Sequence, residues 1–179
     1  GVIGVETAEN LSLAGKHVTL VEGSDQIMTP FDHDIVQILH KELDDHGVDV
    51  LLDSMLTAVE EKHIVVTQRK EQHRLKADAV VMAIGVAPQT KLAKEAGLKI
   101  GETGGIWVNH NYQTSDPDIY AVGDAIEGYH ALLHNPARLA LAGPAQRQAR
   151  AAADHIYGRQ HHEHGFIGSS CLRVFQQNA

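Results

Sequence analysis

The stretch GVIGVETAENLSLAGKHVTLVE, residues 1–22, decides the fold class. Three apolar residues recur at the spacing of one helical face: Val5, Ala8 and Leu11. Gly15 follows them, where a left-handed residue commonly ends a helix. Residues 17–22 then combine alternating and β-branched apolar side chains, which is typical of a strand, and this strand ends on Glu22. The stretch therefore predicts a helix followed by a strand.

A second helix and a second strand follow in the same order. Pro30 and Asp32 are typical of a helix start, and Gly47 is typical of its end. Three apolar residues at a spacing of four predict the buried face: Ile35, Leu39 and Leu43. The strand VDVLL, residues 48–52, comes next. Alternating helices and strands predict a parallel sheet covered by right-handed crossovers.

The pattern changes after residue 54. The short runs LTAVEE, HIVVTQ and HRLKADAVVMAIG predict a small antiparallel meander that returns to a buried strand ending in Gly85. A loop and a short helix are expected over 87–101. Two short strands are expected near 106–108 and 119–122, and the alanine-rich residues 135–158 predict one long helix bent at Pro144.

Composition excludes several classes of protein. The chain has 179 residues, of which 43% are apolar, enough for a real core. Its longest apolar stretches, such as 77–87, are shorter than the roughly 20 residues of a membrane span, and we expect no membrane association and no export signal. The single cysteine, Cys171, fits a reducing cytoplasm. A net charge of -8 without a basic stripe argues against a nucleic-acid partner.

Gly1 and Gly4 fit part of a dinucleotide-binding fingerprint. That fingerprint has three glycines, so Gly1 and Gly4 would be the second and third, with the first glycine and its strand upstream of residue 1. Glu22 ends the next strand, where a carboxylate can accept hydrogen bonds from the adenosine ribose hydroxyls. The alternative interpretation is a pair of helix-capping glycines and a solvated glutamate.

A second constellation is TSDPDIYAVGDA, residues 114–125. The expected strand delivers Gly123 and Asp124 at its carboxyl end, which is the end at which open α/β sheets bind ligands. We therefore expect Asp124 to face a crevice. An ordinary aspartate in a strand-to-loop turn is the alternative.

Five segments together resemble those of the FAD-dependent pyridine nucleotide-disulfide oxidoreductases, in order and in spacing: GVIGVETAENL, VTLVE, VVMAIGVAPQT, TSDPDIYAVGDA and LAGPAQRQAR. The chain is most similar to the branch of coenzyme A-disulfide reductases, NADH oxidases and NADH peroxidases. The resemblance implies an α/β fold: a Rossmann-like NAD-binding domain with a parallel sheet and a small antiparallel meander, plus a segment of an FAD-binding domain. The implied ranges are 1–104 for the NAD(H) domain without its first strand, 105–158 for the FAD segment and 159–179 for the start of a C-terminal dimerisation domain.

The resemblance also implies site residues. Gly1, Ile3 and Gly4 would meet the NADH pyrophosphate, Glu22 the adenosine ribose, and Gly85 the nicotinamide dinucleotide, although Ile84 replaces the usual threonine beside it. For FAD, Gly123 would permit close approach and Asp124 would bind the ribityl chain, while Leu141, Ala142 and Ala145 would lie beneath the flavin ring. Gln146 would lie near the thiol substrate, where the family usually has Asn or His. No catalytic residue is expected within the chain.

The activity implied for the complete enzyme passes hydride from NADH to FAD and then to a disulfide, oxygen or peroxide acceptor, in a homodimer. Because the redox cysteine and the first FAD fingerprint belong to a domain that this chain lacks, we expect the chain alone to be inactive. Cys171 is expected to be a small buried residue without a catalytic role. The alternative is a non-catalytic dinucleotide-binding or redox-sensing module.

Two further expectations concern the end of the chain. The histidine-rich segment HHEHG, residues 161–165, lacks a second ligand pair, so we expect a solvated join and no metal site. The apolar run SSCLRVF, 169–175, looks like the first strand of another domain. Without that domain we expect it to be exposed and prone to association.

Overall fold

The computed structural model describes residues 1–159, 165–169 and 171–178. The helices are α1 (Val2–Leu13), α2 (His33–Asp45), α3 (Lys91–Glu95) and α4 (Ala142–Ile156). The strands are β1 (Val18–Val21), β2 (Val48–Leu51), β3 (Ser54–Val59), β4 (His63–Gln68), β5 (Glu71–Lys76), β6 (Ile106–Trp107), β7 (Ile126–His130), β8 (Asn135–Ala137), β9 (Arg173–Val174) and β10 (Gln177–Asn178). The chain divides into two compact units, one formed by Gly1–Gly85 with 171–178 and the other by Val86–Ser169.

The first unit contains the predicted parallel pair of strands. Strand β1 pairs with β2 in parallel, with Val18 opposite Val48 and Leu20 opposite Val50. The crossover between them is α2, which begins after Asp32 and ends just before a left-handed Gly47. The β-α-β order read from the sequence is therefore confirmed, and it places the carboxyl end of β1 directly before Glu22.

The core of this unit lies between helices α1 and α2 and the β1–β2 pair, and it is formed by Val5, Ala8, Val36, Leu39, Leu43 and Val48, among others. The prediction was wrong at two positions, because Leu11 and Ile35 are exposed. Around a helix, a constant spacing of four residues, as at Ile35, drifts by about 40° per step, and a constant spacing of three, as at Leu11, by about 60°. The residues of α2 that are buried, Val36, Leu39 and Leu43, form a narrower stripe than the predicted Ile35, Leu39 and Leu43.

The antiparallel meander is confirmed. Strands β3, β4 and β5 follow one another in space, with a register irregularity between Leu56 and Ala58. The turn between β4 and β5 has Arg69 and Lys70 at positive φ, 48° and 76°. Two consecutive positive φ values match the right-handed twist of a tight hairpin. The meander buries Ile64 and Val66.

The buried strand expected to end in Gly85 is absent from the structure. Residues 79–86 form no strand, and among the described residues none pairs with them. Several of their apolar side chains are exposed: Val80, Val81, Met82, Ile84 and Val86. A run of apolar residues becomes a strand only beside a hydrogen-bonding neighbour, and nothing described here supplies one.

The C-terminal segment corrects two expectations. Leu172, Val174 and Phe175 are buried in the core shared with α1 and α2, so the tail is not exposed as predicted. Cys171, expected to be buried, is exposed. The reason is that successive side chains of a short extended segment point to opposite faces, and the face with Leu172 and Val174 is the buried one. Phe175 lies outside this alternation, in the turn after β9, with a φ of +50°.

The second unit has a three-stranded sheet in the order β6, β7, β8. Its core contains Val108, Tyr112, Ile126, Ala151 and Ala152. The strand expected at 119–122 is reduced to an isolated bridge between Tyr120 and Gln113, which leaves Ile119 and Val122 partly exposed. The helix expected over 135–158 is shorter, since 135–137 is β8 and α4 begins at Ala142. Pro144 lies in the first turn of α4, where proline is tolerated.

Candidate functional site

In the first unit, the predicted glycine turn leads into α1. Gly1 is the N-cap of α1, and its carbonyl accepts a hydrogen bond from Val5 N at 3.2 Å. A methyl group built on Gly4 would lie 3.5 Å from Ala83 Cβ and 3.7 Å from Leu20 Cδ1, so α1 packs closely against β1 at this point. Ile3 points away from the core and is 65% exposed. Gly1 and Ile3 are the exposed residues of this first turn.

Glu22 lies beside this turn. Its Oε2 is 3.8 Å from the nitrogen of Gly1, and its Oε1 accepts a hydrogen bond from Ser24 N at 3.1 Å. The backbone of Glu22 continues the sheet, because its N–H donates to Leu51 O and its carbonyl accepts from Ser54 N, each at 2.9 Å. The strand end and the hydrogen bond from Ser24 hold the carboxylate at the glycine turn.

Gly85 has a φ of +89°, which a side chain rarely adopts. Space around it is open, since a methyl group built there would meet no heavy atom within 4 Å. Neighbouring Ile84 is 84% exposed. Because Ala83 packs against Gly4, the segment that leads to Gly85 runs past the N-terminal turn of α1.

In the second unit, Gly123 and Asp124 begin a short 3-10 turn, Gly123–Ala125. Gly123 has a φ of +80°, and a methyl group built on it would lie 3.7 Å from Ala145 Cβ. Asp124 is exposed at the surface. Leu141 is the N-cap of α4 and Ala142 is its first residue, so the turn and the start of α4 form one cluster.

Sequence reasoning missed Gln148, which ties this cluster together. Its Oε1 accepts a hydrogen bond from Gly123 N at 2.7 Å, and its side chain is only 2% exposed. One sequence pattern could have pointed to Gln148. It lies three residues after Ala145 and three before Ala151, and therefore on the same helical face. Gln146, expected near a thiol substrate, is exposed on the other side of α4.

The described residues show neither a metal-binding cluster nor a membrane-spanning helix. There is no cluster of three or more His, Cys, Asp or Glu side chains able to hold a metal ion among them, and four residues of the HHEHG segment, 161–164, lie outside them. Of the helices that the structure describes, none has the length and apolarity needed to cross a membrane.

Both clusters lie in a part of the chain that matches a known protein family. Residues 1–149 match the model of the family described as pyridine nucleotide-disulphide oxidoreductase. The chain belongs to this family. Its mixed α/β structure agrees with the fold of that family, as the sequence predicted. Both clusters lie within the matched residues, since the last predicted site residue is Gln146.

Individual relatives are also similar. The chain is 33% identical over 174 residues to the CoA-dependent NAD(P)H sulfur oxidoreductase of Pyrococcus abyssi, covering 97% of this chain and 39% of that protein. Among solved structures, reduced CoADR-RHD of Bacillus anthracis is 40% identical with a TM-score of 0.91, covering 98% of this chain and 31% of its own. An NAD-dependent persulfide reductase of A. fulgidus is 31% identical with a TM-score of 0.92, covering 99% of this chain and 33% of its own. The chain thus spans about a third to two fifths of the length of these relatives.

Proposed function

We propose that the full-length protein is an NADH-dependent flavoprotein oxidoreductase that passes hydride from NADH to FAD and on to a disulfide, oxygen or peroxide acceptor. This chain would supply part of the NADH site from residues 1–104 and part of the FAD site from 105–158, with 159–179 starting a dimerisation domain. The observation that carries the proposal is the placement of Glu22 at the glycine turn, 3.8 Å from Gly1. Membership of the family supports it.

The first cluster fits the adenosine and pyrophosphate portion of NADH. A helix N-terminus presents unpaired N–H groups, and Gly1 and Gly4 allow a pyrophosphate to approach them. Glu22 Oε1 accepts the Ser24 N–H, and Oε2, which is 3.8 Å from the Gly1 nitrogen, would accept a hydrogen bond from a ribose hydroxyl. Ile3 would flank the phosphates, and Gly85, where an added side chain would meet no heavy atom within 4 Å, would leave room for the dinucleotide.

The second cluster fits the ribityl chain and ring of FAD. Asp124 has an exposed carboxylate, which can accept hydrogen bonds from the hydroxyls of the ribityl chain. It follows Gly123, whose lack of a side chain would let the cofactor come close to the backbone. Leu141, Ala142 and Ala145 offer a small, apolar surface at the start of α4 for a flat ring. FAD, when bound, supplies the hydride acceptance and the onward electron transfer, which no side chain of this chain performs.

The acceptor is proposed by class. The Pyrococcus abyssi and A. fulgidus relatives are named for sulfur and persulfide chemistry, which favours a sulfur-based acceptor. Gln146, exposed on α4, would lie near that substrate and contribute an amide where the branch usually has Asn or His. We also propose a cytoplasmic homodimer, which the single cysteine and the implied dimerisation segment support.

The test is the cofactor content of the purified full-length protein. We expect FAD bound at one per chain, and we expect Asp124→Ala to lower the FAD affinity at least tenfold, because a charged acceptor of hydrogen bonds is worth about 1.5–3 kcal/mol. Asp118→Ala is the matched control, since Asp118 is exposed in the preceding turn and should leave FAD binding unchanged. A full-length protein without FAD would refute the proposal.

A further inference from the structure

Gln148 is a polar side chain in an otherwise apolar stripe. The buried residues of α4 are Pro144, Gln148, Ala151 and Ala152. An amide in such a stripe costs free energy unless it is hydrogen-bonded, and Leu or Met would fill the space without that cost. The hydrogen bond from Gly123 N to Gln148 Oε1, at 2.7 Å, therefore distinguishes the role of Gln148 from that of an apolar core residue, which only fills space.

Gln148 binds the backbone N–H of Gly123, which lies in a turn with few other conformational constraints. Val122 is extended, with φ -142° and ψ 164°, and Gly123 then turns the chain with a φ of +80°. Glycine visits many backbone conformations at similar energy, so its φ alone does not fix the direction of the residue that follows. The hydrogen bond from Gly123 N to Gln148 Oε1 fixes the peptide plane at the start of this turn.

We propose that Gln148 is a positioning residue for the flavin: it anchors the Gly123 peptide to α4 so that the Asp124 carboxylate is held ready for the ribityl chain of FAD. This inference rests on the proposed function, in which Asp124 binds FAD. A turn that is fixed before binding loses less conformational entropy when the cofactor arrives, so the affinity is higher. Gln148 itself touches no reacting atom.

The experiment compares three substitutions of Gln148 in the full-length protein. Gln148→Leu removes the acceptor at similar volume, Gln148→Glu keeps an oxygen at the same reach, and Gln148→Asn withdraws that oxygen by one methylene. The control is Arg150→Leu, an exposed polar residue on the same helix. FAD dissociation constants are measured by titrating the deflavinated proteins, and the visible circular dichroism of the bound flavin reports its orientation.

We expect Gln148→Leu to bind FAD at least about tenfold more weakly and to alter the flavin circular dichroism, because the Gly123 turn loses its anchor and must then be ordered when FAD binds. Gln148→Glu should stay within about threefold of the unmutated protein, while Arg150→Leu should match it. If the Leu variant does not fold, Asn takes its place, with the same expected loss.

Two results would overturn the inference. One is unchanged FAD affinity in the Leu and Asn variants. The other is an equal loss in the Glu variant, since that variant keeps both the shape and the acceptor oxygen, and the loss would then not come from the hydrogen bond to Gly123. A lack of FAD in the unmutated protein is a different failure, because it refutes the proposed function and, with it, this role of Gln148.

Discussion

At the scale of single residues, Glu22 carries the prediction of nucleotide preference. In the proposed NADH site, its carboxylate beside the glycine turn would place a like charge near the 2′-phosphate of NADPH. The residues that follow it, Gly23, Ser24 and Asp25, offer no cation to bind a phosphate. We therefore expect the full-length enzyme to prefer NADH to NADPH by at least about tenfold in kcat/KM, since the repulsion costs on the order of 1 kcal/mol or more.

Replacement of Glu22 by Ala should lower the affinity for NADH and narrow the gap between the two nucleotides. Steady-state kinetics with both nucleotides measure this, and Glu61→Ala, in the exposed β3–β4 turn, is the control that should change neither. A kcat/KM for NADPH equal to or above that for NADH in the unmutated enzyme would mean that Glu22 points elsewhere.

His40 gives a residue-scale prediction about pH. Burial, followed by the nearby charge of His33, lowers the pKa of His40 below its ordinary value. Its Nε2 accepts the Ile27 N–H at 3.2 Å, which requires the neutral ring. The stabilising contribution is therefore complete above about pH 6.5 and declines as the pH falls below that value toward the lower pKa of the folded state.

Urea unfolding above and below about pH 6.5 tests this expectation. His40→Gln should lose less stability on acidification than the unmutated protein, whereas His73→Gln, an exposed histidine of β5, should lose the same amount. Identical acid sensitivity of His40→Gln and the unmutated protein would contradict the neutral state of His40.

At the scale of elements, the C-terminal segment 171–178 is a structural part of the first unit. Phe175 is 5% exposed, and its ring stacks on that of His46 with centroids 3.7 Å apart. Phe175→Ala should lower the free energy of unfolding by about 3–5 kcal/mol, because it opens a cavity beside α2. Tyr157→Ala, at an 84% exposed position, should change it by no more than about 0.5 kcal/mol. A small effect at Phe175, measured by urea unfolding, would mean that the tail is not docked in solution.

Elements with a local signal could be predicted from the sequence, and those that depend on a distant neighbour could not. Helix α2 and the β3–β5 meander have their own periodicity, caps and turns, so the sequence predicted them within a few residues. Residues 79–86 have the composition of a strand but no described partner, and 119–122 has one bridge only. Strand formation needs hydrogen bonds from another segment, which a pattern of side chains does not contain.

The candidate site also contains residues with a local sequence signal and residues that depend on a distant contact. The location of Glu22 directly after β1 and of Asp124 in the turn after Gly123 could be predicted because each follows an apolar run, while their contacts with cofactors stay predictions. Gln148 could not, since its importance arises from a hydrogen bond to Gly123, 25 positions away in the sequence. The packing of Phe175 in the core with α2 could not be predicted either, because this contact joins residues that are distant in the chain.

At the scale of the whole molecule, the chain spans about two fifths of the Pyrococcus abyssi relative. Because the proposed FAD site needs residues from the rest of the enzyme, we expect the isolated chain to retain no stoichiometric FAD and to oxidise no NADH. Gel filtration followed by cofactor analysis and an NADH oxidation assay measures both. Turnover of NADH with FAD at one per chain would show that the chain contains a complete site.

We propose above that NADH delivers hydride to a flavin held partly by this chain. Anaerobic mixing of the flavin-containing full-length protein with NADH, followed by absorbance, tests this transfer. We expect one equivalent of NADH to remove the absorbance of the oxidised flavin, and NADPH to do so more slowly. A flavin that keeps its oxidised spectrum with excess NADH would show that NADH does not reduce it.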